Sequence, residues 1–375
     1  MKDLGNKRGF WGLLDTSSVL ASFTAIVVGL AVGFVVLLIS NPGNAAIGFF
    51  TLLSSGFGDL KSTGQVLYFA TPIIMTGLSV AFAARTGLFN IGAAGQFIIG
   101  AYCAILVGVK CSFLPGWILC PAAVLAAMLG GALWGAVPGL LKAWRNVNEV
   151  IACIMMNYIG MYLVNFLIIK TVYDQRRNIT LAVAGHANIP TLGLDKIFRL
   201  GNSPSSAGGG IFIAIIAAVI IYIILEKTTL GFEIKACGFN KNAAEYAGIN
   251  SSRGIILAMA LSGALAGLGG ALLYLSGAGK GIDVVDTLAQ EGFNGIPVAL
   301  LALNNPLGVI FSGLFIAYLN VGGFNMQLYN YAPQAVDMIV AIIIYFSAAA
   351  LLIKGLIQKL SKRGKQSEEK GGGEE

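Results

Sequence analysis

Gly210-IFIAIIAAVIIYIIL-Glu226-KTTLGFEIKACGFNKNAAEYAGINSS-Arg253-GIILAMALSGALAGLGGALLYL-Ser276 decides the fold. Two apolar runs without a single charge, 210–225 and 254–276, flank a polar stretch, 226–253. About 20 apolar residues carry a helix across the hydrocarbon core of a bilayer. A helix also bonds its own backbone there, where water is absent. The stretch therefore reads as two membrane-crossing helices joined by one polar loop.

The same pattern repeats outward in both directions. Further apolar runs occupy 19–39, 65–84, 91–109, 114–138, 150–169, 293–303, 307–321 and 333–353. With the first two they make about ten transmembrane helices, an all-α polytopic membrane protein. The run 293–303 is short for a crossing and is expected to tilt or to re-enter. Three basic residues precede 19–39, as in a signal peptide. That run is longer than a signal core and lacks a convincing small-residue cleavage site, so it is kept as the first helix.

Composition agrees. The chain of 375 residues is 57% hydrophobic and 11% charged, against about 25% charged in a soluble domain. Its 50 glycines suit membrane bundles, where small residues let backbones approach. Gly131, Gly135 and Gly139 form one such ridge, and Gly263, Gly267 and Ala271 another.

Charge sets the orientation. With the N-terminus inside, 16 of the 24 Lys and Arg fall on the cytoplasmic side, as the positive-inside rule expects. Residues 1–18 then form a cytoplasmic N-terminus and 19–353 the transmembrane domain. Loop 170–209 lies outside and loop 226–253 inside. The tail 354–375 ends in the polar KQSEEKGGGEE and is expected to be disordered.

Several function classes drop out. The net charge of +7 is spread over short loops and the tail, with no basic stripe for nucleic acid. One His and five Cys without a CxxC pair provide no metal site. Gly279-Lys280-Gly281 lacks the Ser or Thr of a phosphate-binding loop. No catalytic motif and no cofactor is expected; any ATP is hydrolysed by another subunit. Membrane acids are scarce, with Asp337 and Glu291 at span edges. Ion-coupled carriers place carboxylates at mid-membrane, so ion coupling is disfavoured.

Polar residues inside apolar surroundings mark the expected solute path. Asn90 and Gln96 stand in the Gly-rich segment 85–96. Asn157, Tyr158, Tyr162 and Asn165 share adjoining faces of one span, and Asn294 heads the short run 293–303. Amides and aromatic rings suit a flat polar solute, and they equally suit helix-to-helix bonding.

The loop 226–253 carries a family resemblance. Ala236-CGFNKNAAEYAG-Ile249-Asn250 holds a short helix closed by Gly248, followed by the Gly/Ala-rich span. It resembles the cytoplasmic coupling motif of permeases in the ribose and branched-chain amino-acid branch of ABC importers. Segments 86–96 and 292–308 resemble that branch too, and the likeness runs over 67–353. Within the branch, the chain looks most similar to bacterial nucleoside permeases. The resemblance implies a type II-like bundle in the bacterial cytoplasmic membrane, importing nucleosides, with purine nucleosides foremost. It also implies an ATP-hydrolysing cassette, a second unlike permease and a substrate-binding lipoprotein. Asn240, Ala243, Ala244, Glu245, Tyr246 and Gly248 would contact the cassette. Ribose or branched-chain amino acids are the alternative cargo, and an ion-coupled carrier the alternative class. Pro297 and Asn304 depart from the branch pattern, and Glu245 follows the two alanines instead of preceding them.

Overall fold

The computed structural model describes residues 16–348. The tail 354–375 and most of the N-terminal segment 1–18 lie outside the described residues. Helices follow in the order α1 (Thr16–Ser40), α2 (Ala45–Ser54), α3 (Leu60–Arg85), α4 (Ala93–Lys110), α5 (Gly116–Arg145) and α6 (Glu149–Thr171). After them come α7 (Leu194–Ile197), α8 (Gly210–Lys227), α9 (Thr229–Phe239), α10 (Lys241–Tyr246) and α11 (Ser251–Tyr274). The last are α12 (Gln290–Phe293), α13 (Gly295–Leu301), α14 (Pro306–Met326) and α15 (Pro333–Ala348). Two small hairpins, β1 (Tyr173–Asp174) with β2 (Ile179–Thr180) and β3 (Arg199–Leu200) with β4 (Ser203–Pro204), decorate the α6–α8 connection.

Seven of the described helices are long and apolar enough to cross a membrane, and Ile26–Ser40 forms a shorter apolar helix. Eight of the ten expected runs lie on these helices, and ten crossings are not reached among the described residues. The run 333–353 falls on α15, 16 residues long, with 349–353 outside the described residues. The run 293–303 does not cross: α12 and α13 have four and seven residues. Seven residues rise about 10 Å, a third of the hydrocarbon thickness. The turn after α13 reverses direction through two left-handed residues, Leu303 and Asn304, with φ of 51° and 57°. Asn tolerates that region better than most residues, which accounts for Asn304 at this position. Asn305 Oδ1 then accepts from Leu307 N at 3.0 Å, capping α14.

The described chain divides into two units. The smaller joins residues before 51 to those after 325. Within it α1 lies along α15, and Gly29 faces Ile343 so closely that a Cβ would stand 2.7 Å from its Cα. Tyr331 Oη donates to Asn41 O at 2.9 Å.

The larger unit, 51–325, is built around α11. The two glycine ridges meet each other: Gly131 abuts the carbonyl of Gly263, and Gly267 that of Ala127. Gly135 leaves 2.5 Å between a would-be Cβ and Met259 O. Absent side chains thus bring α5 and α11 to backbone contact. Gly100 on α4 meets Gly267 in the same way. The opposite face of α5 exposes Leu125, Leu129 and Leu133, a stripe at four-residue spacing suited to lipid. Trp117 and Trp144, 79% and 72% exposed, stand at the two ends of α5. They are about 40 Å apart along the axis, the separation of the two headgroup regions.

Candidate functional site

Seven side chains were expected on the path, and the fold divides them. Asn90, Gln96 and Asn157 are brought together and sealed, at 0%, 1% and 1% exposure. Asn90 Nδ2 donates to Gln96 Oε1 at 2.7 Å and to Ser262 Oγ at 2.7 Å, while Gln96 Nε2 returns a bond to Asn90 Oδ1 at 3.1 Å. Ser262 Oγ lies 3.0 Å from Ser79 Oγ and donates to Ser79 O at 2.7 Å. Asn157 Oδ1 accepts from Gly95 N at 2.8 Å, and its Nδ2 donates to Ile91 O at 3.0 Å. Their donors and acceptors are used within the protein, so the knot fixes α3, α4, α6 and α11 to the 86–92 turn.

Tyr158 and Tyr162 point away from the knot and are half exposed. Asn165 lies at the end of α6 beside the hairpins, donating to Val285 O at 3.0 Å. Asn294 belongs to a different place, a cavity of about 670 Å³.

That cavity opens at the hairpin end of the larger unit, where Lys61 Nζ donates to Ser203 Oγ at 2.8 Å. It descends along α3 from Asp59 to Ile73, roughly 20 Å at the helical rise. Gln65 and Phe69 on α3 line one side, Asn320, Phe324 and Asn325 on α14 another. Gln290, Glu291 and Asn294 form the inner end. The floor is tight: Thr76 Oγ1 donates to Glu291 O at 3.1 Å, Gly292 abuts Ala94, and a Cβ on Gly77 would meet Val298 Cγ1 at 2.7 Å. The knot begins at Ser79, one helical turn below Thr76.

The amides here differ from those of the knot in one respect. Gln65, Gln290, Asn294, Asn320 and Asn325 make no side-chain hydrogen bond among the described residues, whereas every side-chain polar atom of Asn90, Gln96 and Asn157 is bonded. An unpaired amide facing a cavity offers both donor and acceptor to a solute. Asn294 is among the residues expected from the sequence; Gln65, Gln290, Asn320 and Asn325 are not. Gln65, Asn320 and Asn325 are amides at or within apolar helices, and that is the available signal.

The loop that leads to the inner end of the cavity is tied to the β1–β2 hairpin. Thr180 N donates to Ile282 O at 3.1 Å and Val284 N to Asn178 O at 3.1 Å, so 282–284 zips onto β2. Lys280 Nζ then lies 3.5 Å from Glu291 Oε1.

The opposite end carries α9 and α10. Asn240 Oδ1 accepts from Ala243 N at 3.0 Å and caps α10. Gly248, φ 82°, closes it: Ile249 N reaches Ala244 O and Gly248 N reaches Glu245 O, both at 3.0 Å. This paired closure needs a left-handed residue, hence glycine. Glu245 accepts from Ser251 Oγ, tying the helix to the start of α11. Ala244 is buried against the protein itself, while Ala243 is exposed and Tyr246 is 95% exposed. Behind α10, Glu226 pairs with Arg85 at 3.2 Å and Lys235 at 3.4 Å.

Residues 62–348 match the family model described as branched-chain amino acid transport system / permease component. The chain is 39% identical to the guanosine ABC transporter permease protein NupP of Bacillus subtilis, over 93% of this chain and 98% of that one. It is 36% identical to the nucleoside ABC transporter permease protein NupB of Lactococcus lactis, over 92% and 94%. A glucose ABC transporter permease protein of Haloferax volcanii is 34% identical over 86% and 84%. No solved structure matches.

Proposed function

The chain belongs to the family of branched-chain amino acid transport system permease components and is a permease subunit of an ABC importer; from that premise we propose that it moves nucleosides, purine nucleosides foremost, across the bacterial cytoplasmic membrane. The observation that carries the reading is the vestibule of five amides unpaired among the described residues, with two phenyl rings. Base and ribose together need many hydrogen-bond partners and a flat apolar contact, and a cavity of about 670 Å³ is within the range of small-molecule sites. The names of the Bacillus and Lactococcus relatives support the same cargo.

In this reading the hairpin end faces outward and receives solute from a capture lipoprotein. The α9–α10 end faces the cytoplasm. The exposed part of α10, with Asn240, Ala243, Glu245 and Tyr246, docks into a separate ATP-hydrolysing cassette, while Ala244 and Gly248 hold its shape. A second, unlike permease completes the pore. Asn90, Gln96 and Asn157 act as the sealed gate below the vestibule, and Asn294 touches the solute. Tyr158, Tyr162 and Asn165 flank the path on α6.

Uptake by cells carrying the complete transporter tests the cargo, with labelled guanosine, adenosine, ribose, glucose and leucine compared. Saturable nucleoside uptake is expected. Ribose, glucose or leucine uptake without nucleoside uptake overturns the proposal. Sugar is the second reading, favoured by the glucose-permease relative.

A further inference from the structure

We infer that Glu291 grips the vicinal hydroxyls of the sugar part of the transported nucleoside, and so sets the permease's preference for ribosides over deoxyribosides; this rests on the nucleoside reading above. Four observations carry it. Glu291 lies at the inner end of the vestibule and lines the adjoining cavity beneath residues 279–289 as well. Its main chain is immobilised, with Thr76 Oγ1 bonded to its carbonyl and Gly292 pressed onto Ala94. The carboxylate is therefore presented from a fixed point. Only one of its oxygens is engaged, Oε1 with Lys280 at 3.5 Å, and Oε2 has no partner among the described residues. Lys280 balances the charge, so the site does not call for a cation.

A carboxylate accepts and never donates. The solute group that meets it must therefore present N–H or O–H, and two adjacent donors match its two oxygens. Both the base edge of guanine and the ribose diol qualify. Depth decides between them. Phe69 stands one helical turn nearer the mouth than Ile73. Helix α14 runs opposite to α3: Gly313 packs on Ile74, whereas Tyr318 packs on Gly56, whose carbonyl accepts from Thr63 Oγ1 near the start of α3. Phe324, beyond Asn320 on α14, is thus also mouthward. The flat ring of an entering nucleoside finds its apolar contact at the two phenyl rings, which leaves the sugar for Glu291, Gln290 and Asn294.

The test is competition against labelled guanosine uptake in cells with the complete transporter, using guanosine, 2′-deoxyguanosine and inosine, for wild type and Glu291→Gln, with membrane level measured in each. Every other subunit is common to both variants, so a changed ratio belongs to the permease. Charged hydrogen bonds predict that the wild-type preference for guanosine over 2′-deoxyguanosine is about tenfold or more and falls to within roughly threefold in Glu291→Gln. The guanosine-to-inosine ratio should stay put. An unchanged riboside preference at normal membrane level overturns the inference and leaves nucleoside transport standing. A shift in guanosine against inosine instead assigns Glu291 to the base edge and overturns it too. If Glu291→Gln fails to reach the membrane, Glu291→Asp is read in its place: retracting the carboxylate should lower the riboside preference at least threefold, and an unchanged preference overturns the inference. Wild type that carries no nucleoside sinks the cargo assignment itself.

Discussion

Gly87 and Gly238 meet main chain to main chain: a Cβ on Gly87 would stand 2.5 Å from Gly238 Cα, and one on Gly238 would collide with Thr86 O. This places the α3–α4 turn, the segment that delivers Asn90 into the buried knot, directly on the last turn of α9. Helix α10 follows two residues later. A displacement of α9–α10 therefore has a rigid neighbour to push, and that neighbour is wired by hydrogen bonds to α4, α6 and α11.

Gly238→Ala forces that contact apart. Overpacking of this kind costs about 1–3 kcal/mol, and the strain falls between α9–α10 and the knot. Uptake should drop roughly tenfold or more, with ATP hydrolysis by the assembled transporter less affected. Gly185→Ala is the control, because nothing lies within 4 Å of a Cβ there. Equal uptake in the two variants would show that the turn does not transmit motion.

The knot yields a prediction about stability. Asn90→Ala strips the Gln96 amide of its side-chain partner in a sealed site, while Ser79 and Ser262 keep their bonds to each other. An unpaired buried group costs about 1–3 kcal/mol. The variant should show lower membrane levels and an earlier thermal transition in detergent. Its solute preference should be unchanged in whatever protein survives. Asn320→Ala should do the reverse, because Asn320 is unpaired among the described residues: normal membrane level, weaker uptake. Uptake competition and a melting curve on both variants separate the two roles.

Orientation is checked by surface labelling. Asn202, in the β3–β4 hairpin, and Asn242, on α10, are both exposed and lie at opposite ends of the larger unit. Asn202→Cys should react with an impermeant maleimide on intact cells, and Asn242→Cys only after permeabilisation. The reversed pattern would invert the topology and move the vestibule to the cytoplasmic side. Ser205, in the same connection, makes a poorer probe because it is buried against α3.

Much of this architecture was legible because lipid imposes a simple rule: an apolar run of sufficient length becomes a helix. The ridges at Gly131–Gly135–Gly139 and Gly263–Gly267 also declared a close helix contact, and they turned out to be each other's partners. The short helix ended by Gly248 was readable from its caps. What the amino-acid order does not encode is whether an amide is satisfied. Asn157 and Asn320 look alike in sequence, each an amide within an apolar run. Asn157 is bonded at both side-chain atoms, by Gly95 and Ile91 across the bundle, and Asn320 faces a cavity. That difference depends on residues more than 60 positions away. The same holds for Glu291, whose setting is made by Thr76, Ala94 and Lys280 converging from three elements.

Tyr246 gives the sharpest separation of folding from coupling. At 95% exposure its ring has almost no contact with the rest of the chain, so Tyr246→Ala should leave membrane level and thermal stability within about 0.5 kcal/mol of wild type. An aromatic side chain left bare on a capped, rigid helix is costly to keep in water unless a partner covers it, and such side chains anchor interfaces at 2 kcal/mol or more. Surface charges nearby, Lys241 among them, contribute only about 0–1 kcal/mol each, so they do not substitute for the ring. The expected outcome is loss of co-purification with the ATP-hydrolysing subunit, and a fall in uptake of roughly thirtyfold. Gly248→Ala should act on the same step by a different cause. Its φ of 82° strains any residue with a Cβ, loosening the closure of α10 while Tyr246 is still present. Measuring subunit retention, ATP hydrolysis and uptake on both variants decides the matter: if Tyr246→Ala retains the partner and transports at the wild-type rate, α10 is not the docking element.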